Sequence, residues 1–120
     1  MKRKTPKLLD DIRDAAAFIE DVSRGRSLED YCSDRLLRQA VERNFEIIGE
    51  AINRLVRIDP DVADRIEHAR IIVGFRNLLA HGYDLIDDER VWKTIVRDVP
   101  PLRCQVEKIL GTGGAENHGP

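Results

Sequence analysis

"DRLLRQAVERNFEIIGEAINRLVRIDP", residues 34–60, decides the fold. Leu37, Val41, Phe45 (or Asn44), Ile48, Ile52 and Leu55 recur every three or four residues, which gathers them into one stripe of a helix. Asp34 stands where a side-chain oxygen can cap the first free amides, and Pro60 stops the pattern. Arg38, Glu42, Arg43, Glu46, Glu50 and Arg54 occupy the other faces, with Arg38/Glu42 and Glu50/Arg54 spaced for ion pairs. Gly49 inside such a helix costs about 1 kcal/mol relative to Ala, which marks it as a close-packing point between helices or protomers. A helix this long with one apolar stripe needs other helices to cover it.

Those helices lie on both sides. Thr5-Pro6 is a helix start with the threonine hydroxyl as cap, and Leu8, Leu9, Ile12, Ala15, Ala16, Ile19 and Val22 follow at helical spacing until Gly25. Ser27 with Asp30 resembles a capping box over a short turn carrying Leu28 and Tyr31. Asp61 opens a third helix through Ile66, Ile71, Ile72, Phe75, Leu78 and Leu79 to Gly82. A fourth carries Val91, Trp92, Ile95 and Val96 and breaks at Pro100-Pro101; a last segment runs from Leu102 to Leu110. The remainder, "GTGGAENHGP", has no apolar face and is expected to form a disordered tail, 111–120, beyond a helical domain of residues 1–110. No period-two alternation occurs, so the class is all-α, an up-and-down bundle of four to five helices.

With 120 residues the chain has room for one core. No apolar run reaches the ~18 residues of a membrane span, and the basic start "MKRKTPK" is not followed by a signal-peptide core, so a cytoplasmic protein is expected. A net charge of -2 argues against indiscriminate coating of nucleic acid while leaving room for a local basic site. Cys32 and Cys104 lack Cys-x-x-Cys spacing and are expected to be free, buried or semi-buried thiols. His68 and His81 are too far apart in sequence for one helical zinc site, and His118 lies in the presumed tail. Asp84, Asp87, Asp88 and Glu89 lack the layout of a calcium loop and suit a solvated loop that caps the fourth helix. The tail glycines precede no Gly-Lys-Ser/Thr, and there is no Gly-x-Ser-x-Gly, so neither a phosphate loop nor a nucleophile elbow is indicated. No metal and no cofactor of the chain's own are expected.

One segment remains, "RNLLAHGY" at residues 76–83. Leu78 and Leu79 serve a core, but Arg76, Asn77, His81 and Tyr83 crowd the end of that helix. Asn77 and His81 share a face, whereas Arg76 and His81, five apart, diverge by about 140°. They can meet one phosphate if the arginine swings along the last turn, or across a two-fold axis that brings the Arg76 of one chain to the His81 of another. On spacing alone, a helix-end histidine facing the macrodipole and a solvated arginine account for the same residues. If the site exists its chemistry is coherent: imidazole transfers protons near neutrality, and guanidinium is a permanent forked phosphate ligand.

"RNLLAHGY" also resembles the Arg-x4-His-x-Tyr motif of the HepT-like toxins, a branch of the HEPN (higher eukaryotes and prokaryotes nucleotide-binding) domains. "AVERNFEIIGEA" at 40–51 is similar to the long helix of that branch, and "VW" at 91–92 with "DVPPL" at 98–102 to its fourth-helix region, so the resemblance spans roughly residues 5–110. It implies a homodimeric bundle with two motif copies in one cleft. It also implies the toxin of a type VII HEPN/MNT toxin-antitoxin system, a metal-independent endoribonuclease acting on tRNA or mRNA. Arg76 and His81 would then be the catalytic pair and Asn77 a supporting polar residue.

The resemblance further implies a cognate minimal nucleotidyltransferase antitoxin that transfers AMP from ATP to Tyr83, the ATP and Mg²⁺ belonging to that partner. An adenylylated Tyr83 would set a phosphodiester anion two residues from His81, where it blocks RNA phosphate and competes for Arg76. Without modification, Tyr83 serves as a helix-end ring with a wet hydroxyl. Glu46 and Glu50 either orient the arginine or form a solvated face. The alternative function is a non-catalytic helical partner subunit that binds a nucleotide or substrate for the nucleotidyltransferase.

Overall fold

Helix α1 (Thr5–Ser23) and helix α3 (Arg35–Ile58) form the spine of the bundle and pack along each other more extensively than any other pair. The structure, a computed structural model, describes residues 1–69, 71–74 and 87–118, with side chains described through Gly111. The stripe expected of α3 is the buried one: Val41, Phe45, Ile48 and Leu55 have no exposed surface and Ile52 has 1%. Leu9, Ile12, Ala16 and Ile19 of α1 meet them, also with none exposed. Full burial of each such Leu, Ile or Phe contributes about 1.5–3 kcal/mol.

Helix α2 (Leu28–Ser33) is a short bridge whose capping box is complete: Asp30 N–H donates to Ser27 Oγ at 3.1 Å and Ser27 N–H donates to Asp30 Oδ2 at 2.9 Å. It follows Gly25, which takes a φ of 74° that only glycine adopts freely, and so turns the chain out of α1. Asp34 caps α3 through the Leu37 amide at 3.1 Å. Thr5 behaves differently from its expected role as a cap. Its hydroxyl makes no capping bond and instead donates to Asp59 Oδ2 at 2.7 Å, because the buried carboxylate is the stronger acceptor.

The third helix expected from Asp61 onward is interrupted. Helix α4 (Pro60–Asp64) ends after five residues. The amides of Arg65 and Ile66 then turn back three residues, to the carbonyls of Val62 and Ala63. Side chains of the last helix anchor the break: Glu67 N–H donates to Gln105 Oε1 at 2.9 Å and His68 Nδ1 lies 3.3 Å from Asp98 Oδ1. Periodicity alone does not reveal such partners. Helical backbone resumes and residues 71–74 are helical, with Ile72 fully buried and Ile71, expected in the stripe, 49% exposed.

Helix α5 (Asp88–Arg97) is capped by Asp87, which accepts from Glu89 N–H at 3.0 Å. Its buried face is Val91, Thr94 and Ile95; Val96 points outward instead of joining the expected stripe. Helix α6 (Val99–His118) begins where a break was expected at Pro100-Pro101. Prolines in a first turn forfeit no intrahelical bond, because those amides have no acceptor four residues back, so they start this helix. Leu102, Val106 and Ile109 close the core from α6, which packs mainly on α1. Helical backbone continues to His118, past the expected end at Leu110. Glycine lowers helix propensity by about 1 kcal/mol without forbidding the helix. All helices and no strand occur among the described residues, and none of these helices is long and apolar enough to cross a membrane.

Candidate functional site

The residues expected to carry the chemistry, Arg76, Asn77, His81 and Tyr83, lie outside the described residues. What the structure supplies is the frame on either side of them. Upstream, the turn at 65–69 is tied to α6 through Gln105 and Asp98, and Ile72 anchors residues 71–74 in the core. Downstream, Asp87 caps α5, whose Val91 is 1% exposed. The segment between is therefore held at both ends by buried contacts.

A groove of about 540 Å³ opens along this frame, lined by Asn53 and Val56 of α3, Asp64 of α4, and Glu67, Ala69 and Val73. Val56 and Ile71 are 52% and 49% exposed, so this end of the bundle presents apolar surface beside polar groups. Of the two glutamates considered for orienting the arginine, Glu46 is taken by Arg43 at 3.2 Å. Glu50 is exposed beside a shallow hollow it shares with Asp11 and Arg54. Among the described residues no Arg38/Glu42 or Glu50/Arg54 ion pair forms; Arg38 instead donates to the carbonyls of Tyr31 and Cys32, at 3.3 and 2.5 Å. Gly49 is buried in α3, in keeping with a packing role.

Sequence spacing gives no hint of a second polar region, at the other side of α3. Tyr31 is fully buried, with its ring centroid 5.8 Å from that of Trp92 and tilted 39° to it, and its hydroxyl has no hydrogen-bond partner among the described residues. Burial, reinforced by the negative charges of Glu42 and Asp88, pushes the Tyr31 hydroxyl well above its ordinary value. Burial first and Asp88 second likewise raise the Glu42 carboxyl. Tyr31, Glu42, Asp88 and Trp92 come from three helices, so only folding assembles them. His68, considered and set aside as a zinc ligand, faces Asp98, and no three His, Cys, Asp or Glu side chains among the described residues converge on a metal position. Both cysteines are exposed, contrary to expectation: α2 turns Cys32 and α6 turns Cys104 away from the core.

A long stripe helix laid along α1, a helix broken ahead of a polar segment, and a proline-started last helix define an all-α HEPN-type bundle. The chain belongs to the ribonuclease HepT-like family, whose model matches residues 12–109. It is 37% identical over 113 residues to "Probable ribonuclease HepT" of Thermococcus cleftensis, covering 91% of this chain and 98% of that protein. A protein of Caldanaerobacter subterraneus subsp. tengcongensis, named "Putative RNase", is 34% identical over 112 residues, or 89% of this chain and 96% of the relative. Another of that name from Methanocaldococcus jannaschii is 32% identical over 110 residues, covering 90% and 98%. No solved structure matches the chain significantly.

Proposed function

We propose that this protein is the endoribonuclease toxin of a two-component toxin-antitoxin system, acting on RNA without a metal ion through Arg76 and His81. One observation carries the proposal: Arg76, Asn77, His81 and Tyr83 stand in motif order inside a chain that belongs to a ribonuclease family. In the reaction, His81 takes the proton of an RNA 2′-hydroxyl, whose oxygen attacks the adjacent phosphorus. The 5′-oxygen leaves and gains a proton, giving a 2′,3′-cyclic phosphate and a 5′-hydroxyl. Arg76 binds the phosphate as charge builds on its oxygens, and Asn77 supports it. Arg76 and His81 do not share a helical face, so the site is completed by a second copy of the chain.

Control is assigned to Tyr83. A partner nucleotidyltransferase would use ATP and Mg²⁺ to join AMP to the tyrosine oxygen, releasing pyrophosphate and placing an anion where the RNA phosphate belongs. The chain incubated with RNA and EDTA should cleave it, and His81→Ala should lose at least a hundredfold in rate. No cleavage by the wild-type chain would favour a non-catalytic nucleotide- or substrate-binding subunit instead. Mass spectrometry after incubation with the nucleotidyltransferase and ATP should place AMP on Tyr83, and AMP found only elsewhere would refute that site.

A further inference from the structure

A cleft of about 350 Å³ lies where the end of α1, the middle of α5 and the start of α6 meet. Its lining includes Glu20, Ser23, Trp92 and Arg103, with Arg24 and Arg26 at the rim. Two features set it apart from an ordinary surface hollow. The Ser23 hydroxyl, on a residue only 8% exposed, and Glu20 Oε1 are buried without a hydrogen-bond partner among the described residues. An orphaned buried oxygen costs about 1–3 kcal/mol, so two in one cleft point to something that satisfies them. The Glu20 carboxylate is also held in place, since its other oxygen accepts from Arg103 Nε at 2.7 Å.

The surrounding groups narrow the ligand. Trp92 supplies a flat aromatic surface, and Glu20 Oε1 is an acceptor that wants an N–H or O–H. Arg24 and Arg26 are engaged only by Asp21 at 3.1 Å and Asp34 at 3.7 Å, exposed pairs of the kind that a phosphate can displace. A planar body with a donor edge and an anionic end fits all three, and the volume suits one small ligand. Inorganic phosphate alone would leave the buried oxygens orphaned.

We propose that this cleft binds a nucleotide unit: the base lies against Trp92 and donates to Glu20 Oε1, Ser23 bonds the base or ribose, and Arg24 and Arg26 take the phosphate. The unit is either one residue of a single RNA strand or a free nucleotide. Its source as RNA rests on the ribonuclease reading; the binding itself does not. Aromatic stacking with neighbouring arginines is how single strands are held without sequence readout.

Trp92 is the only tryptophan of the chain, so its fluorescence reports on this cleft alone. AMP and a short single-stranded oligoribonucleotide should each change it saturably, whereas inorganic phosphate should not. A much tighter oligoribonucleotide marks the RNA source, and equal affinities mark the free nucleotide. Ser23→Ala should weaken binding about three- to tenfold without lowering the melting temperature, since its hydroxyl has no partner to lose. The double variant Arg24→Gln/Arg26→Gln should weaken AMP while leaving adenosine unchanged. No saturable change with either ligand, or wild-type affinity in both variants, would overturn the proposal. Fluorescence response without RNA cleavage sinks only the nuclease reading; cleavage without response sinks only the cleft.

Discussion

The Thr5 hydroxyl donates to Asp59 Oδ2 at 2.7 Å across 54 residues of sequence, pinning the start of α1 to the corner between α3 and α4. The backbone amide of Lys2 donates to the same oxygen at 3.1 Å. Thr5 is fully buried and Asp59 is 6% exposed, so neither group has water as a substitute partner. Thr5→Val should destabilise the fold by about 1–3 kcal/mol, measured by urea unfolding.

The same contact sets an acid limb. The Thr5 hydroxyl, helped by the Lys2 amide and opposed by desolvation, holds the Asp59 carboxyl below its ordinary value. A carboxyl depressed by folding contributes its stability in full above the unfolded-state value and loses it as pH falls through the lower folded value. Melting temperature against pH should therefore fall less steeply below the ordinary carboxylate range in Asp59→Asn than in the wild type.

Glu42 carries the opposite sign. Burial and then Asp88 raise its carboxyl, so ionising it costs stability above the raised value and costs nothing once pH drops below the ordinary glutamate range. Glu42→Gln should raise the melting temperature at neutral pH, and the gain should disappear in acid. A gain that persists at low pH would assign the effect to packing.

Arg103 bonds two glutamates of unequal burial. Glu20, on α1, has a side chain 15% exposed, whereas that of Glu107 is 44% exposed. Removing the cation strands the buried partner, so Arg103→Ala should cost about 1–3 kcal/mol, while Glu107→Ala should cost about 0–0.5 kcal/mol in the same unfolding assay.

A two-chain active site makes a prediction that a one-chain site does not. Arg76→Ala and His81→Ala proteins, each inactive, should recover about a quarter of wild-type cleavage when unfolded and refolded together: half of the dimers are mixed, and each of these carries one intact site. Absence of recovery in mixed dimers confirmed by mass would place Arg76 and His81 in one chain.

Periodicity was enough for the helices that bury a single stripe. Val41, Phe45, Ile48, Ile52 and Leu55 repeat at helical spacing and are buried together, because an amphipathic helix has one way to hide its apolar face. It failed where long-range partners intervene. Nothing near Asp64 announces the break before His68, since Gln105 and Asp98 on α6 supply its anchors. Pro100 and Pro101 read as a stop because their effect depends on where the helix starts, and α6 starts at Val99.

The motif at residues 76–83 was legible as an order of residue types, and family membership follows from sequence alone. The Trp92 cleft was not legible at all. Glu20, Ser23 and Arg103 are ordinary residues at ordinary spacings, and their meaning comes from being brought to one place by α1, α5 and α6. Sequence by itself determined the helical class, the stripe that forms the core and the order of the chemical groups, because each depends on neighbours within a few residues. Tertiary structure alone decided which buried oxygens lack partners, which carboxyls are shifted and where a helix breaks, because those depend on groups that folding brings together from distant parts of the chain.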